Sequence, residues 1–319
     1  MSRIITPGHP DFHIHKRNYV EVEPPPITTR VEGWYTLQRI KPGHGVIQEL
    51  SFPNLVTDFG MNALGGNYNP TYIHVGTSTT PPANSNTSLG AFGVSFSGNG
   101  AGDGGYANSG PPDYFAYKRV VKLSAIGGAT GNWTEIAVSN QAATGNIYSR
   151  ALILDSGGNP TTFTVLADEQ MQASYELRHY PVFVDDVRSV TISGVPKDTI
   201  TRVCNASNWR WLSWNELHMF HFVRCYPYTG NINASAISGM PAGSSLTEGS
   251  VTRAAYGSNN FYRDATSTWG AGVATGTHRT YVWENDWLGA LFQVQYDPAI
   301  VKGAAQQLIM NQRYSWARR

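Results

Sequence analysis

The sequence predicts a mainly β protein, built from antiparallel β-sandwich or jelly-roll domains that follow an extended N-terminal arm. Charged residues form only 14% of the 319-residue chain, against roughly 25% in typical soluble domains. Short runs of alternating apolar and polar residues recur, and turns rich in Gly, Asn and Pro separate them. Hydrophobic residues make up 41% of the chain, which is enough for a sizeable core. This composition favours strands and subunit interfaces over long solvated helices.

The N-terminal segment, residues 1–30, is polar and includes the triple proline Pro24-Pro25-Pro26. Consecutive prolines favour an extended, polyproline-like backbone. We therefore expect a docking arm that is ordered only against another element, such as a neighbouring subunit. The segment lacks the apolar centre of a secretory signal, and no run of the chain approaches the ~18 apolar residues of a membrane span. We expect a protein without membrane insertion that is made in a cytoplasm.

Strand-like runs begin at Val31. The runs VEGWYTLQRI and GVIQELSF flank the turn KPGHG, which is typical of a hairpin. The stretch PNLVTDFGMNALGG then predicts a short helix that ends at Gly65-Gly66, with one side formed by Leu55, Phe59, Met61 and Leu64. Further short strands follow and end with ASYELRHYP. Together these runs predict a β-sandwich domain over residues 31–186.

A second β domain is predicted for residues 187–319. It begins with the strand-like run SVTISGVPKDTITRVCN. Its last two runs, LGALFQVQYDPAI and QQLIMNQRYSWARR, are predicted to be strands that pair with each other.

One connecting stretch has an unusual composition. Residues 72–90 read YIHVGTSTTPPANSNTSLG, a short strand followed by small polar residues and two prolines. The part after the strand is too polar to pack in a core and too rich in proline to pair in a sheet. It contains nothing that looks like a catalyst.

A metal site is a weak hypothesis for the arm. Asp11, His13 and His15 recur at every second position, so they share one face of any strand. Two imidazoles and a carboxylate could hold a metal ion. The alternative is a mobile arm whose histidines are merely polar, and we therefore predict no metal and no cofactor.

Three tryptophans are the candidates for glycan binding. The run NWRWLSW contains Trp209, Trp211 and Trp214. Exposed tryptophans stack on sugar rings, but large aromatic residues are also common in cores and subunit interfaces. Both interpretations remain open from the sequence.

No pattern in the sequence predicts catalysis. Glycoside hydrolysis needs two carboxyl groups held ~5 to 9.5 Å apart. The available carboxylate pairs, such as Asp185-Asp186 and Asp168-Glu169, lie in no motif that fixes such a distance. Nucleophile-elbow, phosphate-loop and zinc patterns are absent from the sequence. The formal net charge of +1 also argues against a broad nucleic-acid surface. We predict a protein that is not an enzyme and does not bind nucleic acid.

Several phrases together resemble one class of proteins. These are GWYTLQRI with FPNLVTDFGMNALGG, then YIHVGTSTTPPANSNTSLG, and then GNIYSRALILDSGGNPTTFTVLADEQMQASYELRHYP. The pair Asn54-Leu55, the following Gly60 and the closing strand resemble tail-associated structural proteins of tailed bacteriophages, of the tail-fibre, tail-tip or neck-collar type. The resemblance covers roughly residues 33 to 183 and does not extend clearly beyond them.

The resemblance implies a virion structural protein of a phage tail, assembled in the host cytoplasm. It implies a symmetric homo-oligomer, most simply a trimer, that docks to other tail, neck or baseplate proteins through the arm. The stretch 72–90 would then run over the outside of the sandwich and pack against a neighbouring subunit. The alternative is a receptor- or glycan-binding tail fibre that attaches to the host surface, and a polysaccharide depolymerase is a more distant rival. We expect the core or interface anchors to be Trp34, Tyr35, Phe52, Leu55 and Tyr175.

Overall fold

The computed structural model describes residues 19–66, 70–100, 104–107, 116–181, 185–203, 222–233, 239–257, 259–285 and 289–319. The fold is mainly β, as the sequence predicts, and most strand pairs are antiparallel. The first half contains β1 (Tyr19–Val22), β2 (Ile27–Lys41), β3 (Gly45–Val56), helix α1 (Asp58–Gly65), β4 (Tyr72–Gly76), β5 (Phe92–Phe96), β6 (Gly98–Asn99), β7 (Gly104–Ala107), β8 (Ala116–Leu123), β9 (Gly131–Trp133), β10 (Glu135–Ser139) and β11 (Ile147–Leu152).

The second half continues with β12 (Phe163–Val165), β13 (Gln170–Pro181), β14 (Asp186–Ile192), β15 (Val195–Val203), β16 (Phe222–Tyr228), β17 (Ser250–Arg253), β18 (Tyr262–Trp269), β19 (Gly276–Asn285), β20 (Gly289–Lys302) and β21 (Gln307–Arg318).

Strand β2 lies in the middle of a large central sheet. On one side it pairs with β13, which pairs in turn with β8. On the other side its first residues pair with β21, and its later residues form the predicted hairpin with β3. Beyond β21, the sheet continues through β18 to β17. The alternating burial of β2 places its odd-numbered residues from Ile27 to Leu37 in the core.

Strand β3 connects the central sheet to a second layer, which we call the cover sheet. Its residues up to Asn54 pair with β2, whereas Leu55 and Val56 pair with β11. The cover sheet then continues through β10 and β4 to β5. The two layers meet where the Tyr35 hydroxyl lies 2.6 Å from Ser149 Oγ, so the sandwich is closed by a polar contact as well as by apolar packing.

A third sheet, the distal sheet, has the order β14-β15-β20-β19-β16. It packs on the part of the central sheet that β18 and β21 form. The rings of Trp269 and Tyr281 are 5.6 Å apart, and those of Phe292 and Tyr314 are 5.5 Å apart. One continuous hydrophobic core therefore lies behind the central sheet and extends from the cover sheet to the distal sheet.

Strand β21 differs most from the sequence-based prediction. It pairs with β1, β2 and β18, whereas β20 pairs with β15 and β19 in the distal sheet. The prediction that the last two strands pair with each other is therefore wrong. Both strands instead bury aromatic residues between the two layers, where the rings of Phe292 and Tyr314 pack at a tilt.

The ends of the described chain also belong to the central sheet. Tyr19 to Val22 of the predicted arm run parallel to the start of β21, and the first part of β2 runs parallel to its end. This part of the arm is ordered against its own chain, while residues 1–18 lie outside the described residues. The boundary expected at 186 falls on the first residue of β14, but β17, β18 and β21 return to the sheet that contains β2.

Helix α1 forms and ends where the sequence predicts, but Leu55, which was expected on one side of the helix, belongs to β3, where it pairs with Arg150 of β11. Thr57 is the N-cap, and its hydroxyl accepts a hydrogen bond from the Gly60 amide at 3.1 Å. Asp58 places a negative charge in the first turn, which complements the helix dipole. The helix ends at Gly65-Gly66, and its ring residue Phe59 lies 5.1 Å from the Tyr148 ring of β11.

Candidate functional site

The five predicted anchor residues fall into two groups. Tyr35, Phe52 and Tyr175 are buried in the core, where the Tyr35 ring lies 5.3 Å from Tyr175 and 6.1 Å from Phe52. Trp34 and Leu55 are only partly buried. The role of these two in a subunit interface remains a prediction.

The other predicted site residues lie outside the described residues. They are Asp11, His13, His15, Trp209, Trp211 and Trp214. Within the described ranges, no group of three or more His, Cys, Asp or Glu side chains is arranged to hold a metal ion.

A buried ion pair occupies the outer face of the cover sheet. The carboxylate of Glu135 on β10 accepts hydrogen bonds from Arg150 Nε at 2.9 Å and pairs with Arg150 Nη2 at 2.7 Å. The Glu135 side chain is 0% exposed and the Arg150 side chain is 2% exposed. A pair this deeply buried needs further hydrogen bonds to offset the loss of water around both charges.

Those further hydrogen bonds come from residues 77–91, which we call the connector. Glu135 also accepts from the amides of Ser78 at 3.2 Å, Gly90 at 3.0 Å and Ala91 at 2.8 Å. Each end of the connector is thereby held by the same carboxylate.

The guanidinium group holds the middle of the connector. Arg150 Nη1 donates to Asn86 Oδ1 at 2.9 Å, and Nη2 donates to the Thr80 carbonyl at 3.0 Å. Leu89 is buried in a small cluster with Ala137 and Ile147 beneath it. As expected, the connector neither packs in a core nor pairs in a sheet: Leu89 is the one buried residue among residues 77–91, and none of them is in a strand. The buried charge pair instead supplies hydrogen-bond partners for its backbone.

Sequence reasoning missed Glu135 and Arg150, although a signal was present. Each is the single charged residue of its strand, EIAVS or IYSRAL, and has no other charged residue beside it. Charged residues are almost never fully buried unless they are paired. Two opposite charges in neighbouring apolar strands therefore could have indicated a pair. Neither run predicts that the two side chains also bind the connector.

The outer face of β2 and β13 carries a second polar and aromatic cluster. Trp34 Nε1 donates to Ser51 Oγ at 2.7 Å, and the Arg178 guanidinium lies 4.3 Å from the centre of the Trp34 ring. Nearby, Tyr180 donates to Glu32 at 2.5 Å. Partial burial, together with Glu32, raises the pKa of the Tyr180 hydroxyl to about 12, so this group remains a donor.

A buried histidine joins three strands of the central sheet. His179 Nε2 of β13 lies 2.6 Å from Thr29 Oγ1 of β2 and 3.0 Å from the Tyr314 hydroxyl of β21. Complete burial lowers the pKa of His179 from 6.5 to about 3. The ring is therefore neutral at physiological pH and serves as part of a structural hydrogen-bond network.

A cleft of about 320 Å³ opens between the central and distal sheets. Ile27 of β2 and Val203 and Phe292 of the distal sheet border it, but each is at most 3% exposed. Thr28 and Thr201 add hydroxyl groups to the lining. A site at the junction of two packed units is a common location for ligand binding.

Two ion pairs also line this cleft. Arg202 binds Asp185 through two contacts of 2.6 Å, and its third nitrogen, Nη1, donates to the Asn233 carbonyl at 2.5 Å. Arg188 pairs with Asp186 at 2.9 Å. The Arg202 guanidinium lowers the pKa of Asp185, so the carboxylate is ionised and the charges of the cleft cancel.

The chain matches no family model, no curated protein and no solved structure. Among the described residues, no helix has the length and apolar character that a membrane crossing requires.

Proposed function

We propose that this protein is a structural component of a bacteriophage tail, which assembles as a homo-oligomer and docks to other tail, neck or baseplate proteins. The observation that carries the proposal is the Glu135–Arg150 pair. It holds the connector, which is part of the region that resembles tail-associated proteins. Burying two charges carries a large desolvation penalty, and here it serves only to hold a loop that contains no catalytic group. A loop fixed before binding loses less entropy when it docks, so this arrangement suits assembly.

The composition of the connector agrees with this role. Its exposed residues include Thr79, Pro81, Asn84 and Thr87, and it contains no charged residue. Uncharged surfaces with hydroxyl and amide groups pack against a partner at a lower desolvation cost than ionic surfaces. Under this proposal, residues 1–18 carry the docking function of the arm, and the oligomer is a trimer.

Immunogold electron microscopy tests the proposal directly. Purified particles of the phage that encodes the chain are labelled with a gold-conjugated antibody to residues 187–319. Gold on the tail is the expected result, and its position separates the tail tip or fibre from the neck. Unlabelled intact particles, with the protein present in the lysate, would contradict the proposal. Light scattering coupled to size exclusion tests the trimer, which should have three times the 34.9 kDa mass of one chain.

The alternative function is attachment to a host-surface glycan, for which Trp209, Trp211 and Trp214 remain the predicted contacts. The distal sheet contributes most residues of a ligand-sized cleft, and this observation favours the alternative. Substituting the three tryptophans with alanine should abolish adsorption to host cells while particles stay intact. Normal adsorption of those particles would count against the alternative.

A further inference from the structure

We propose that β14 forms a two-fold contact with β14 of a second copy of this chain, which joins the two distal sheets into one continuous sheet. The inference goes beyond the proposed function, because a two-fold contact differs from the contact that a trimer needs. It depends on an edge whose backbone groups are unpaired, on the lack of protection of that edge, and on a charge pattern that is complementary to itself.

The turn between β14 and β15 determines which backbone groups of β14 are paired. Among the described strands, β14 pairs with β15 alone. The hairpin turns through Ser193 and Gly194, which have φ angles of 51° and 79°. In a two-residue turn of this kind the flanking residues, Ile192 and Val195, exchange backbone hydrogen bonds. Every second residue of β14, counted back from Ile192, therefore bonds to β15, and the residues between them direct their N–H and C=O groups away from it.

Those outward residues are Val187, Ser189 and Thr191, which we call the open edge. All three are exposed, and the relative exposure of Val187 is 65%. Within the described part of the chain, no hydrogen bond reaches their outward backbone groups. A row of unpaired N–H and C=O groups is a template for the addition of another strand.

The open edge lacks the features that usually prevent strand addition. Natural sheet edges are often protected by proline, by lysine or by a β-bulge. β14 contains neither proline nor lysine, and its register with β15 is unbroken from Asp186 to Ile192. At the opposite edge of the distal sheet, residues 246 and 249 donate backbone hydrogen bonds to the carbonyls of Pro227 and Cys225 in β16. The edge at β14 is therefore the one that is available to a partner strand.

The charges of β14 favour a second copy as the partner and determine the register. Asp186 and Arg188 lie on the same face of the strand, with side chains 36% and 50% exposed, and they pair with each other at 2.9 Å. If two copies pair antiparallel about Val187, Asp186 of each copy lies opposite Arg188 of the other. The two ion pairs then join into one network of four charges. Pairing about Arg188 would instead place two like charges opposite each other, which is destabilising.

The same register covers exposed apolar surface. Val187 of one copy lies opposite Val187 of the other, so both side chains lose contact with water. The outward groups of Ser189 lie opposite Asp185 of the other copy, which extends the backbone pairing on both sides of Val187. Each chain thus provides both halves of a complementary pattern, as a two-fold contact requires.

A contact through one strand from each copy is small. Stable complexes bury ~1,200–2,000 Å², so we expect a weak association that depends on concentration. Sedimentation equilibrium of the full chain, from micromolar to millimolar concentration, measures it. The average mass should double across this range. A mass that does not rise overturns the inference. The mass at the lowest concentration tests the trimer separately, so the two proposals can fail independently.

Charge reversal tests the register. Arg188→Asp and Asp186→Arg each place like charges opposite each other in the contact, so each variant alone should keep its lowest mass at all concentrations. In an equal mixture, each variant supplies the charge that the other needs, and the doubling should return. Recovery in the mixture also shows that neither variant is misfolded. Doubling in either variant alone, or no recovery in the mixture, would contradict the inference.

Cysteine cross-linking tests the two-fold position. Residues opposite each other in a hydrogen-bonded pair have Cα atoms ~5.5 Å apart, which is within the range of a disulfide. Val187→Cys should therefore form a cross-linked dimer under mild oxidation. In Thr191→Cys the two new thiols are far apart, and the yield should stay at the background of the unaltered chain, which has two cysteines. Equal yields in the two variants would contradict the register.

Two further results would show a different occupant or a different surface. If the full chain keeps its mass but a chain without residues 1–18 shows the doubling, the N-terminal arm occupies the open edge. If Ser189→Pro, which removes an outward N–H group, still doubles in mass, the copies associate through another surface. Either result overturns the inference. Urea unfolding confirms that Ser189→Pro is folded.

Discussion

Arg150 Nε lies 2.9 Å from the carboxylate of Glu135, and almost no surface of either side chain reaches water. The pair connects two neighbouring strands of the cover sheet to both ends of the connector. Its loss should therefore change the stability of the sandwich and the order of the connector together.

Glu135→Gln should destabilise the protein strongly. The substitution leaves the Arg150 charge buried without its counter-ion, which typically costs about 3–5 kcal/mol. Urea unfolding followed by fluorescence gives the free energy of unfolding. The control is Asp264→Asn, which breaks the exposed Asp264–Arg313 pair and should cost at most about 1 kcal/mol. Similar losses in the free energy of unfolding would show that the buried pair stabilises the protein no more than the exposed pair does.

Replacing both partners separates stability from positioning. In Glu135→Met/Arg150→Met no unpaired charge remains, so much of the stability lost in Glu135→Gln should return. The connector should nevertheless lose its anchor. Hydrogen exchange at the amides of Ser78, Gly90 and Ala91 should become faster, because Glu135 accepts from all three. Unchanged exchange in the double variant would mean that other contacts hold the connector.

Gly60→Ala should destabilise the protein even though alanine is the better helix former. A Cβ atom at Gly60 would lie 2.0 Å from the Tyr148 carbonyl oxygen. Alanine gains about 1 kcal/mol in helix propensity, whereas overpacking costs about 1–3 kcal/mol or more. We expect a net loss in urea unfolding. Gly270→Ala is the control, since a Cβ there meets no atom within 4 Å. A stabilised Gly60→Ala variant would contradict the close approach of α1 to β11.

His179 should make the folded state sensitive to acid. Its pKa is about 3 in the folded protein and 6.5 when exposed, so the unfolded chain binds the proton more readily. The contribution of His179 is complete above pH 6.5 and declines as the pH falls towards 3. The expected loss is about 2 kcal/mol between about pH 7 and pH 5.

Urea unfolding across this pH range checks the His179 prediction. The free energy of unfolding should change less with pH in His179→Gln than in the unaltered chain. The exposed His44 provides the control, because His44→Gln should leave this pH dependence unchanged. Burial also lowers the pKa of His74 and His278, so part of the pH dependence should persist. NMR titration gives a direct reading that does not depend on the variant folding. A His179 ring that takes up a proton near pH 6 would contradict the prediction.

Deleting residues 307–319 should unfold the whole protein. This segment contains β21, which pairs with β1, β2 and β18 and contributes Tyr314 and Trp316 to the core. Calorimetry of the full chain should show one cooperative transition, and the deletion should leave none. A chain without residues 1–18 is the control, because it keeps every strand pair described above. Two separate transitions in the full chain would instead support independent units on either side of residue 186.

Local features of this fold were predictable because they depend on short-range rules. The β2–β3 hairpin follows from two alternating runs around a Pro/Gly turn, and α1 follows from a capping Thr57 and a terminal pair of glycines. The buried positions of Tyr35 and Tyr175 follow from alternation along their strands.

Long-range features were not predictable in the same way. Nothing near β21 indicates that it pairs in parallel with β1 and β2 rather than with β20, because strand pairing depends on which faces find a buried partner. The cleft has the same origin, since Thr28 and Thr201 lie far apart in the sequence and border one cleft only when the distal sheet packs. The partners of Glu135 likewise depend on where the connector crosses the sheet.

The position of β21 has a consequence for synthesis. Thr28 and Ser315 touch although 287 positions separate them, and the start of β2 lacks its neighbour on one side until β21 arrives. During translation, the backbone groups at the start of β2 therefore remain unpaired on one side until the ribosome has released β21. Such an edge is prone to pair with other nascent chains, and closing so long a loop is slow. The central sheet is therefore completed only after β21 has been translated.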